Sequence, residues 1–265
     1  METPQDNNDY VISPMFHPLA VGDPDEELQP HQEVSTVLSL LSDAGIHYCF
    51  VQEHAQIYYG SSILQRDRVL CIQDEQFERA VEIFTSRSDI LNPCGPNPFR
   101  SPSLLNHKYP RFKAVGWATF WTLVPGRYCH LVVEPENIEF SKGDLPYPKL
   151  AVYVQSAIDS KNDGLLQELI DGMNLTEEWG GESLDLEGHT DTQWLEDRIQ
   201  AFLDDGEDPM YIWIDPTPVS RRTVWTKMVQ GKQKRLGWKY PAERYATRYR
   251  KHGSKDPRSV YRPGV

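Results

Sequence analysis

The chain is poor in the features that would announce a metal centre, a membrane anchor or an export signal. It has four cysteines, Cys49, Cys71, Cys94 and Cys129, with no CxxC pair among them. A structural zinc site needs such clustered thiolates or histidines, so the expectation is free thiols packed as small hydrophobes. No apolar run approaches the roughly 18–20 residues needed to cross a bilayer. The opening stretch METPQDNNDYVISP lacks the basic start and apolar centre of a secretion signal. A cytoplasmic address with no membrane partner is therefore expected. Internal repeats are also lacking, so the chain reads as one core plus appendages.

What is present is an ordinary globular composition with an uneven charge. Hydrophobic residues make up 39% and charged residues 25% of 265 positions. The net charge is −12. From Pro216 to Val265 there are 14 Lys or Arg and two acids, giving +12 and leaving −24 on the first 215 residues. Such asymmetry suits a tail that meets a polyanion, or one that docks on its own acidic body.

Periodicity divides the chain into three parts. Residues 1–30 are rich in Pro and Asp, lack periodicity and are expected to be disordered. Residues 31–205 carry the pattern of a folded domain, and 206–265 form a basic, aromatic-rich C-terminal segment. Val34, Val37, Leu38 and Leu41 recur at helical spacing before Gly45, and His47–Val51 is a β-prone run. A short helix over 55–59 ends at Gly60, a strand covers Arg68–Ile72, and 75–86 is an amphipathic helix. The Pro- and Asn-rich stretch 92–110 reads as a loop. Residues 117–124 and 128–133 read as a hairpin around Pro125-Gly126. Helices follow over 150–159, 165–173 and from Asp191, an N-cap, to Leu203. The fold class is α/β (α+β): a mixed sheet flanked by helices, with a helical C-terminal half.

The words Phe50-Val-Gln-Glu-His-Ala-Gln-Ile-Tyr-Tyr-Gly60 and Gln65-Arg-Asp-Arg-Val-Leu-Cys-Ile72 resemble the opening of the polymerase-β-like nucleotidyltransferase fold. That resemblance implies a small-residue turn at Gln52-Glu53 and two metal-binding acids at positions 67 and 69. Here the second is Val69. Strand alternation puts 67 and 69 on one face, and valine offers no oxygen to a metal, so two-metal phosphoryl transfer loses its bridge. No cofactor is expected on this reading. The alternative, a divergent nucleotidyltransferase, implies Mg²⁺ and a nucleoside triphosphate. A third possibility is a non-catalytic binding module on the same fold.

Further words, Tyr109–Lys113, Pro146–Leu150, Gln155-Ser156, Asp171–Gly180 and Leu184–Leu186, resemble a widely duplicated fungal family over roughly residues 35–200. Similar fungal chains include arginine-containing cyclodipeptide synthases. The resemblance implies aminoacyl-tRNA partners, arginyl-tRNA among them, with the oligomeric state left open. A synthase of this kind needs a base to free an amine and, by a covalent route, an acyl acceptor. Glu53, His54, Ser61, Ser62 and Asp67 are the candidates, on the expectation that they line one cleft. Asp171, Glu177 and Glu178 beside Trp179, with Tyr58, are candidates for holding a guanidinium. Arg111, Lys113, Arg221, Arg222, Lys232, Lys234, Arg235 and Trp238 are candidates for RNA phosphates and bases. Each of these also has a plainer reading as a turn, helix-end or strand-face residue. His107 and His130 stand isolated in the sequence.

Overall fold

The computed structural model describes residues 32–61, 63, 65–98, 104–232 and 255–259. The expected N-terminal disorder, Ser62, Lys234, Arg235 and Trp238 lie outside the described residues. Among those described, eight α-helices surround a five-stranded mixed sheet and a two-stranded one. The first half runs α1 (Gln32–Ser42), β1 (Tyr48–Phe50), α2 (Glu53–Tyr58), β2 (Arg68–Ile72), α3 (Phe77–Ser86), β3 (Leu91–Cys94), β4 (Arg111–Ala114) and β5 (Phe120–Pro125). The short strands β6 (Ile138–Phe140) and β7 (Pro146–Pro148) then lead into α4 (Leu150–Asp159), α5 (Asp163–Met173), α6 (Glu177–Ser183), α7 (Thr192–Asp204) and α8 (Arg221–Gln230).

The main sheet has the order β1-β2-β5-β4-β3. Strands β2 and β5 are parallel, and every other neighbouring pair is antiparallel. Alternation sorts the side chains. Arg68, Leu70 and Ile72 share a face with Trp121 and Leu123, while Val69 and Cys71 share the other with Thr122 and Val124. On the first face α3 packs Phe84 edge-on to Phe112, with ring centroids 5.4 Å apart. There α1 buries Glu33 against Arg68 at 2.7 Å. Glu33 also accepts from Thr119 Oγ1 at 2.6 Å and Trp121 Nε1 at 2.8 Å, so the buried carboxylate is satisfied from three sides.

Two readings of the sequence are corrected. The stretch 128–133 is not the partner of 120–125. Both edges of β5 are taken, by β2 and by β4, which leaves no free ladder for a hairpin. The chain turns instead through a 3-10 helix over Gly126–Cys129 and His130 in the left-handed region, φ 54°. The stretch 92–110 is not wholly loop, because Leu91–Cys94 forms the edge strand β3. Pro93 hid it, since proline is tolerated only where an outward N–H is not needed. The helices fared better: Asp191 does cap α7, its carboxylate accepting from Trp194 N at 3.0 Å.

Two glycines let the helical half close on the sheet half. At Gly60 an added Cβ would stand 2.4 Å from the Gly172 carbonyl oxygen, and at Gly172 it would stand 2.2 Å from the Tyr59 carbonyl oxygen. The backbone just past α2 therefore touches that of α5 directly. Helix α8 packs on α4, α5 and α6 with Trp225 buried, so the described part of the basic segment belongs to the body.

Candidate functional site

The first residue of interest is Gln52, at the turn between β1 and α2. It holds φ 55° and ψ −133°, a conformation that glycine adopts easily and glutamine does not. Two groups hold it there, and a third braces one of them. Its backbone N–H donates to Tyr153 Oη at 3.0 Å. Its side-chain amide pairs reciprocally with that of Asn106, at 3.0 and 2.8 Å. Tyr128 Oη donates to Asn106 Oδ1 at 2.9 Å and accepts from Leu105 N at 2.8 Å, fixing Asn106 in turn.

This turn delivers Glu53 as the first residue of α2. Burial pushes its carboxyl above the ordinary carboxylate range. Its own backbone N–H and Arg66 oppose the shift, and the charge of Asp67 adds to it.

Asp67 precedes β2 and is buried. Its oxygens are spoken for: Arg111 Nε donates to Oδ2 at 2.6 Å and Nη2 to Oδ1 at 3.0 Å. Thr122 Oγ1 donates to Oδ2 at 3.3 Å and Asn97 Nδ2 to Oδ1 at 3.2 Å. The guanidinium lies over the Phe120 ring at 3.8 Å. Arg111 on β4 faces Thr122 on β5 in register, which brings its fork onto the carboxylate. A cation thus stands on the acid that the nucleotidyltransferase resemblance would assign to a metal, and Val69, buried beside it, supplies no oxygen. Among the described residues no cluster of three His, Cys, Asp or Glu side chains is placed to hold a metal ion. Asp67, closed by Arg111, and Val69 do not by themselves offer the paired carboxylates that two-metal chemistry requires.

The other candidates stand apart from Asp67. His54 is 1% exposed and stacks on Phe50 with ring centroids 4.6 Å apart, on the sheet face opposite Asp67. Burial, with Arg68 nearby, pulls its imidazole down to a pKa of about 3. Neither ring nitrogen has a hydrogen-bond partner. Ser61 lies beyond the far end of α2, about 9 Å along a six-residue helix from Glu53. Its hydroxyl donates to Glu168 at 2.5 Å. Tyr58 stacks on Tyr147 with centroids 4.0 Å apart and donates to Glu139 at 3.0 Å. Burial and the Glu139 charge push its phenol well up.

The guanidinium cup is likewise dispersed. Asp171 is fully buried within α5, whereas Glu177 and Glu178 are exposed in the first turn of α6. Trp179 leans on Trp225, with centroids 5.8 Å apart. Of the basic candidates, Lys113 is exposed and Arg111 is the ion pair above. Arg221 bridges Asp159 and Asp185, both at 2.6 Å, and Arg222 meets Glu187 at 2.8 Å. Lys232 donates to Leu175 O at 2.7 Å and Asn174 Oδ1 at 3.0 Å.

Sequence reasoning passed over Gln52, Asn106, Asn97 and Tyr153 as site residues. One signal was available: the resemblance put a glycine-type turn at position 52, so a positive φ there was to be expected whatever residue stood in it. The histidines set aside as isolated are paired, His107 with Asp205 at 2.5 Å and His130 with Asp191 at 3.0 Å, one at each end of α7. Compared with protein-family models and with curated proteins, the chain matches none.

Proposed function

We propose that the chain is an acyl transferase that works without catalytic metals, of the aminoacyl-tRNA-dependent cyclodipeptide synthase kind, with arginine as one amino acid. The observation that carries this reading is that Glu53, a half-buried carboxyl held above its ordinary range, opens α2 directly after the clamped Gln52 turn, while Asp67 is closed by Arg111. A carboxyl raised in this way is a stronger base than a free one. Aminoacyl esters are activated, so amide formation asks mainly for positioning and a proton acceptor. Glu53 takes a proton from the attacking ammonium group. The amine nitrogen bonds to the ester carbon, and the ribose oxygen leaves with a proton. A second aminolysis within the dipeptidyl ester closes the ring and releases the second tRNA. Direct aminolysis is favoured over an acyl-serine at Ser61, because that hydroxyl is committed to Glu168.

Arginine and tRNA enter through the family resemblance and the basic segment. The test supplies arginine, other amino acids, tRNA, the aminoacyl-tRNA synthetases and ATP, and seeks cyclic dipeptides by mass spectrometry. Product that requires intact tRNA and disappears with Glu53→Gln supports the reading. No product, or product that survives RNase, overturns it. A non-catalytic binding module is the second reading. It is favoured by the withdrawal of His54 and Ser61 into packing and by the docking of Arg221 and Arg222 on acids of the body. It expects tRNA or another ligand to bind with no turnover.

A further inference from the structure

A strained residue persists only where its surroundings over-determine it, and such residues gather at working sites. Among the described residues, Gln52 is the one non-glycine residue with positive φ that directly precedes a candidate catalytic group. Its conformation is held by contacts distant in sequence, from Asn106 in the loop before β4 and from Tyr153 on α4. Tyr153 is in turn packed in the core and buried, and burial keeps its phenol protonated. Asn106 is braced by Tyr128. The turn is thus clamped from two directions by elements on either side of it.

We propose that Gln52 is a latch, with Asn106 and Tyr153 as positioning residues, that fixes the β1–α2 turn and so sets where the Glu53 carboxyl stands relative to Asp67. This rests on the reading of Glu53 as the base. With a glycine the turn would adopt its shape without help. With glutamine the shape depends on the clamp, so loss of the clamp releases the turn to negative φ and moves Glu53. The side-chain amide of Gln52 therefore serves the turn instead of contacting substrate.

The latch can be tested apart from activity. In wild-type protein, NMR should give a strong intraresidue HN–Hα Overhauser effect at Gln52, the mark of positive φ. In Asn106→Ala/Tyr153→Phe that effect should weaken and the Glu53 resonances should move. Asn106→Asp keeps the size of the side chain but loses a donor to Gln52, and should give the same change in smaller measure. Adding Gln52→Gly to the Asn106→Ala/Tyr153→Phe background should return the Glu53 resonances toward their wild-type positions. In the dipeptide assay, kcat of the double variant should fall about ten- to a hundredfold with KM little changed, as for a misplaced catalytic group. Gln52 and Glu53 signals that stay put in the double variant overturn the latch, as does failure of Gln52→Gly to restore Glu53. Signals that behave as described, with no dipeptide from any form including wild type, leave the latch standing and remove the acyl-transfer reading instead.

Discussion

At Glu53 and His54, neighbours in the chain, burial acts on the proton in opposite senses. It raises the carboxyl and lowers the imidazole, because in both cases the charged form loses water. The consequences for stability also run oppositely. The folded Glu53 holds its proton more tightly than the unfolded one. Its contribution is therefore present below the unfolded value of about 4.3 and is lost as pH rises through the raised folded value. Glu53→Gln should thus be relatively more stable than wild type near neutrality and lose that advantage in acid, measured as Tm against pH. Folded His54 resists protonation down to about 3. Its contribution is present above the unfolded value of about 6.5 and is lost as pH falls toward the folded value, by up to about 1.4 kcal/mol per pH unit. His54→Leu should flatten that acid limb in urea titrations between about pH 4 and 7. At Asp67 the pair with Arg111 is largely withdrawn from solvent, the side chains being 11% and 10% exposed. Arg111→Ala leaves the carboxylate buried without its cation, and unfolding free energy should fall by about 3–5 kcal/mol. Lys113→Ala, exposed two residues away, should stay within about 0.5 kcal/mol of wild type.

At the scale of elements, the contact between α5 and the Tyr59-Gly60 segment that ends α2 fixes the far end of that short helix. Gly172→Ala would place a methyl group 2.2 Å from the Tyr59 carbonyl oxygen, and backbone must shift to admit it. A loss of about 1–3 kcal/mol or more is expected in chemical denaturation. Gly181→Ala in α6 meets nothing within 4 Å and should be neutral or stabilising by up to about 1 kcal/mol. The clasp of α2 by the Gln52 turn at one end and Gly60 at the other explains why six residues form a helix that would not persist alone. The strands β1 and β2 bring Cys49 and Cys71 into register as cross-strand partners. Burial, with the neighbouring Cys129 and Cys49 thiols, keeps the Cys71 thiol protonated. Alkylation of the native protein should therefore mark Cys94 and Cys129, both partly exposed, and spare Cys49 and Cys71 until the chain unfolds.

Across the whole molecule, charge asymmetry is resolved in part by self-docking. Arg221 neutralises Asp159 and Asp185, and Arg222 lies against Glu187, so α8 is tied to the acidic body. Its buried Trp225 sits where Gly180 leaves room, since a Cβ there would come within 2.1 Å of the indole nitrogen. Arg221→Ala should speed hydrogen exchange over 221–230, more than it changes any affinity for tRNA in the proposed reaction. A loss of RNA affinity that shrinks as salt rises, with no change in exchange, would place Arg221 on an RNA surface instead.

Local sequence determined the elements whose signal is local. The periodic helices α1, α4, α5 and α7, the apolar strand β2 and the Asp191 cap were legible because side-chain spacing and a capping oxygen act within a few residues. The alternation that puts Asp67 on the Val69 face was legible for the same reason. Tertiary structure decided what depends on partners far away. It gave β5 two neighbours and so abolished the hairpin, and it made an edge strand of a segment containing Pro93. It set Arg111 from β4 onto Asp67, and it sent His54 and Ser61 away from Glu53. It also held Gln52 in a shape that its own chemistry disfavours, through Asn106, 54 residues away, and Tyr153, 101 residues away. Sequence places a residue on a helix or strand, but which groups meet is decided by the register and packing of whole elements.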